Sequence, residues 1–156
     1  MPGLTPHPVN HPAGHLFGHQ GFALTAACRE LPTSWNECAE YLYGVDLFNR
    51  AYLWEAHEAW EAVWIAAGKT RPPAMFVQGL IQIAAALLRQ HLGTPDGARN
   101  LLARAHRRLA PVEADLVAAG KSTYLGIQIG PWKQAVERFL MTDSAPYPFL
   151  RLDLPR

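Results

Sequence analysis

The chain has little of several things, and each shortage removes a class of function. Of its 156 residues only two are cysteine, Cys28 and Cys38. Two cannot build the disulfide framework of a small secreted domain. A single bridge between them is open to the chain, but reduced thiols in a cytoplasm are the simpler expectation. Charge is scarce too. Asp, Glu, Lys and Arg make up 17% of the chain and the formal net charge is +1, so bulk charge draws it to neither nucleic acid nor an anionic membrane surface. Long apolar runs are missing. The longest, "GLIQIAAALL" from Gly79 to Leu88, contains Gln82 and is well short of the roughly 20 residues of a membrane helix. No basic segment followed by an apolar run opens the chain, so no signal peptide is read and a soluble, cytoplasmic protein is expected. There is no Gly-rich phosphate loop, no nucleophile elbow and no Cys with a positioned His.

What is present is ample core material. Hydrophobic residues are 49% of a chain of one-domain length. Residues 1–22, "MPGLTPHPVNHPAGHLFGHQGF", differ from the rest. His7, His11, His15 and His19 recur every fourth residue, a metal stripe if helical. Pro8, Pro12, Gly14 and Gly18 oppose a helix, so an extended arm is expected, with adventitious nickel or zinc binding as the sharper alternative. From Ala23 the texture is helical. A short piece near Leu24–Leu31 stops at Pro32. Thr33 or Ser34, with Glu37, offers a capping box for the next segment, which Gly44 divides. Asn49 and Arg50 read as a break. A helix follows from Ala51 to Ala67, closed by Gly68. Another, Ala74 to Leu92, is apolar or small nearly all round and is therefore central. Thr94, Pro95 and Asp96 start a helix that Pro111 interrupts. Pro131 opens the last one, and "APYPFLRLDLPR" is an extended surface tail. The expectation is an all-α, single-domain helical bundle of five or six helices over residues 23–142, with the arm at 1–22 and the tail at 143–156.

The chemistry concentrates in "FNRAYLWEAHEAWEAVW", Phe48 to Trp64. With residues about 100° apart on a helix, Tyr52, Ala56, Ala59, Trp60 and Val63 form a core stripe. His57, Glu58, Glu61 and Trp64 occupy a second arc, joined by Trp54 and Ile65. Two large apolar residues among acids suggest that this arc, too, meets protein. On the central helix Gln78, Gln82 and Arg89 share a stripe, and a buried unpaired amide costs about 1–3 kcal/mol. The economical arrangement faces the two stripes, with Glu58 and Glu61 accepting from Gln78, Gln82 and Arg89. His57, Glu58, Glu61, Trp64, Gln78, Gln82 and Arg89 are therefore the candidate polar site.

His57 and Glu61 at i and i+4, with Glu58 beside them, also resemble a helical metal site. The order departs from a Glu-x-x-His pattern, because Glu55 precedes His57 by two, and glutamines are poor ligands. The basic run "RAHRRL" at 104–109 has acids nearby at Asp96, Glu113 and Asp115 and no aromatics interleaved. A solvated helix face is its ordinary reading.

Three blocks carry a resemblance. They are Phe48-Asn49 with Glu55, Ala56, His57, Glu58, Glu61 and Trp64; then Gln78 to Gln82; then Gly97-Ala98. Over about residues 41–109 the chain resembles domain-of-unknown-function family 309 (DUF309). The resemblance implies an all-α bundle and no particular reaction. It marks His57, Glu58, Glu61, Trp64, Gln78 and Gln82 as hallmark positions. Two departures stand out: the family often has Gly where Ala51 stands, and often a His near the end of the central helix, where this chain has Arg89, Gln90 and His91.

The function expected from these residues is a non-enzymatic bundle whose acidic, Trp-walled site binds a small ligand or a partner segment. The competing expectation is a metal-dependent, hydrolase-like enzyme with a divalent cation at His57, Glu58 and Glu61. The aromatic surplus allows a homodimer.

Overall fold

A computed structural model describes residues 25–142 and 144–155. The expected arm and its four histidines lie outside the described residues. Within them are five α-helices: α1 (Ala39–Asn49), α2 (Leu53–Ala66), α3 (Pro72–His91), α4 (Pro95–Ala118) and α5 (Ile129–Met141). They form an all-α fold. α3 is the hub, packed on α2 and on α4, while α1 packs on α2. Its residues from Pro73 to Leu87 are mostly buried, as an all-round apolar helix requires. None of the helices is long and apolar enough to cross a membrane.

The first helical region departs from expectation. Ala26–Arg29 and Trp35–Glu37 are short 3-10 turns. Ser34 adopts a left-handed conformation and caps nothing with its side chain, so the expected capping box is not formed. Cys28 and Cys38 are both fully buried and are joined in a disulfide, their Cα atoms 4.8 Å apart. The expected free thiols are thus replaced by a link that ties the first 3-10 turn to the start of α1. Nor does Gly44 divide α1, which runs through it unbroken. A Cβ at Gly44 would overlap the Trp60 indole, whose Nε1 donates to the Tyr41 carbonyl oxygen at 3.2 Å. Glycine in a helix costs about 1 kcal/mol relative to alanine. Here the cost is offset by the complete burial of Trp60.

The break at 49–52 is real. Ala51 sits at φ 59°, in the left-handed region, with its methyl buried. The position where the family often has Gly is one where the backbone favours Gly. Lower in the chain, Thr94 precedes α4 but its hydroxyl donates back to the Arg89 carbonyl oxygen at 2.9 Å, so it makes no N-cap bond. Pro111 does not interrupt α4. It is exposed, and the flanking buried residues Leu109 and Val112 keep the helix in place on either side of it. Packing wins over a local proline penalty of about 3 kcal/mol.

The tail, expected on the surface, is a strap that sends Leu150 into the core. Asn49 grips it from the end of α1: its Nδ2 donates to the Leu150 carbonyl oxygen at 2.8 Å, and the Leu150 N–H donates to its Oδ1 at 2.7 Å. Trp132 Nε1 donates to the Pro148 carbonyl oxygen, and the Tyr147 hydroxyl to the Phe48 carbonyl oxygen. The Phe48 ring meets Trp60, Trp132 and Tyr147 at 5.6–5.8 Å between centroids.

Candidate functional site

α2 carries three acids, Glu55, Glu58 and Glu61, and no Lys or Arg. Its inner face is the expected stripe: Ala56, Trp60 and Val63 are fully buried, with Tyr52 and Ala59 half-buried. The outer arc differs from expectation. Glu58 and Glu61 are exposed. Trp54 is 51% and Ile65 56% exposed. The physical reason is that α1 and α3, the neighbours of α2, cover the inner side and the flanks and leave the rest to solvent. Trp54, Glu58, Glu61 and Ile65 are spaced 4, 3 and 4 residues apart, which places them on a single stripe. Two exposed apolar groups thus bracket two exposed carboxylates.

The Trp54 ring lies nearly parallel to the His57 ring, with centroids 5.2 Å apart and an interplanar angle of 15°. His57 is half-buried, and its Nδ1 is buried with no hydrogen-bond partner. The Glu58 carboxyl is raised above its ordinary value. Partial burial is the main cause and the charges of Glu55 and Glu61 add to it, while a hydrogen bond from Trp54 and the nearby His57 oppose it. The acid that is truly buried is one the candidate set left out: Glu55, 4% exposed. With desolvation as the larger cause, its charge also pushes the Tyr43 phenol up. Glu55 sits within the Glu-Ala-His-Glu hallmark, but the helical wheel places it on neither arc.

Trp64 serves the fold. Its Nε1 donates to the Lys69 carbonyl oxygen at 3.2 Å, closing the loop after α2, and the Lys69 ammonium lies 5.5 Å from the ring centroid. Gln78 and Gln82 are half-buried on α3, and Gln82 Oε1 is buried with no partner. Arg89 is exposed, with its aliphatic stem beside Gly97 at the start of α4. Among the described residues no hydrogen bond or ion pair joins Gln78, Gln82 or Arg89 to Glu58 or Glu61. The polar stripes therefore do not pair in the expected way. His57, Glu58 and Glu61 do not converge on one point that could hold a metal ion; among the described residues the side chains that do are Cys28, Cys38 and Glu40.

A cleft of about 1060 Å³ opens elsewhere, between the start of α3, the end of α4, the connector at 121–126 and the tail. No α2 residue lines it. Its one strongly perturbed group is Tyr124, whose phenol is pushed up to about 12, chiefly by burial.

Fold and site together define a small all-α bundle with an exposed acidic and aromatic helix face. Residues 41–101 match the family model described as "Domain of unknown function (DUF309)". The family read from the sequence is thus the one whose model matches, over a stretch from α1 into α4. No curated protein matches the chain.

Proposed function

We propose that this protein is a binding module, and that the outward stripe of α2 receives a basic partner segment with apolar residues at its ends. The observation that carries this is the stripe itself. Trp54, half-exposed and stacked on His57, stands at one end and Ile65 at the other, with Glu58 and Glu61 between them and no Lys or Arg on the helix. Large apolar side chains left about half-exposed in line with like charges recover only part of their packing within the monomer, which is what a docking surface shows before its partner arrives. A half-exposed indole beside carboxylates suits an ammonium or guanidinium group, which gains both charge pairing and cation–π contact with the ring face. Hydrolase chemistry with a metal at His57, Glu58 and Glu61 has no comparable support, because the three side chains do not share a point.

The test is a titration of the full chain with a short peptide carrying Lys and Arg at its centre and Leu at both ends, read by NMR at the Trp54 indole N–H and the His57 ring. A saturable shift, lost on Trp54→Ala and weakened about tenfold by Glu58→Gln combined with Glu61→Gln, is expected for two desolvated charge pairs. No shift at either ring would overturn the reading. So would a stable dimer that Trp54→Ala dissociates, since the stripe would then be covered by a second copy.

A further inference from the structure

We infer that Cys28, Cys38 and Glu40 form a thiophilic metal site that the disulfide closes: in the dithiol state the two sulfurs and the carboxylate hold one divalent cation of the zinc class. Three independent features support it. First, the donor atoms of all three residues lie within 4.8 Å of one another, and all three residues are buried. The sulfurs, bonded to each other here, part when the bridge is reduced, and ligand bonds of about 2.3 Å to sulfur and 2.0–2.2 Å to oxygen then set the spacing of the three donors around one ion.

Second, Glu40 is a carboxylate only 5% exposed. Its Oε1 accepts from the Thr25 N–H at 2.8 Å. Its Oε2 lies 3.1 Å from Cys28 Sγ. A disulfide sulfur has no hydrogen to offer that oxygen. A thiol would supply a proton there and a metal ion a positive charge, and among the described residues no cation pairs with Glu40. A buried carboxylate in contact with a group that cannot donate is costly, so the pocket is built for a state other than the bridged one.

Third, Cys38 is the N-cap of the eleven-residue α1 and Glu40 lies in its first turn. The positive end of the helix offsets part of the negative charge gathered there.

The chemistry balances. A dithiol reductant attacks one sulfur of the bridge and is itself oxidised to a disulfide. Two electrons and two protons pass to Cys28 and Cys38, which become thiols. On metal entry the two thiols release two protons to solvent, and two thiolates and one carboxylate face the dication. The described residues supply three ligands, leaving the fourth tetrahedral position to solvent or an added ligand. Both cysteines are fully buried, so metal entry requires a local opening of the chain around them.

The experiment uses the full chain, reduced with a phosphine and titrated with cobalt(II). Cobalt on histidine nitrogen alone gives no sulfur-to-metal charge-transfer band, so His7, His11, His15 and His19 do not confound the readout. One equivalent should raise that band, and zinc should abolish it. Cys38→Ser should remove it. Glu40→Gln should weaken cobalt binding by more than about tenfold at unchanged helicity, and the oxidised chain should show none. A reduced wild-type chain without the band overturns the inference with no variant needed. A band that survives Cys38→Ser, or a cobalt affinity indifferent to Glu40→Gln, overturns it equally.

Discussion

Both faces of α2 carry a tryptophan, and the two end up opposite in character. On the inner face Trp60 is fully buried and its indole N–H is paired with the Tyr41 carbonyl. On the outer face Trp54 is half-exposed and leans on a histidine with an unpartnered nitrogen. Phe48, Asn49 and Trp64, three hallmark positions, side with Trp60: each is tied to the chain's own backbone or core. A family motif thus mixes residues that make the fold with residues that the fold leaves over. Only the second kind is informative about function, and burial with polar pairing separates the two.

That division is easiest to break from the inside. Trp60→Ala empties a fully buried indole site against Gly44 and Phe48 and should cost about 3–5 kcal/mol. Chemical denaturation would show it as a lower midpoint, and a loss under 1 kcal/mol would deny the inner face its role. Asn49→Ala removes both bonds that hold the tail at Leu150 and leaves that backbone unpaired, a loss of about 1–3 kcal/mol. Hydrogen exchange at Leu150 should accelerate with it. Ala51→Gly relieves a left-handed alanine and should raise stability by up to about 1 kcal/mol, a shift visible in the melting temperature.

The smallest effect belongs to the outer face. The Glu58 carboxyl is raised in the folded chain, so it binds its proton more tightly folded than unfolded. Its favourable contribution is present below the ordinary carboxylate value and is lost as pH rises through the raised one. Glu58→Gln should therefore be slightly stabilising at neutral pH, by no more than about 0.5 kcal/mol for an exposed group. The difference should vanish in acid. Melting temperatures of the two chains across pH would show it, and a variant less stable at neutral pH would place Glu58 with the fold.

Much of the fold was legible because it is local. Helical spacing placed Ala56, Trp60 and Val63 in the core, and the apolar girth of α3 marked it as the hub. The misreadings share a cause, since each depended on a partner distant in sequence. Gly44 looks like a helix breaker until Trp60 fills its place. The tail looks like surface until Asn49, 101 residues before Leu150, takes hold of it. Periodicity gives a residue's angle on α2 but not which angles the neighbouring helices cover. That is why Glu58 and Glu61 were expected indoors while the buried Glu55 was passed over. The sequence read the Cys28–Cys38 pair as thiols because cysteine count indicates compartment and not proximity.

The most direct test of the two-faced helix sets Trp54→Ala beside Trp60→Ala, with melting temperature and basic-peptide binding measured on both. The account predicts that Trp54→Ala melts within about 0.5 kcal/mol of the wild type and no longer binds, whereas Trp60→Ala is strongly destabilised. A Trp54→Ala chain that is as destabilised as Trp60→Ala, or that still binds the peptide, would contradict it.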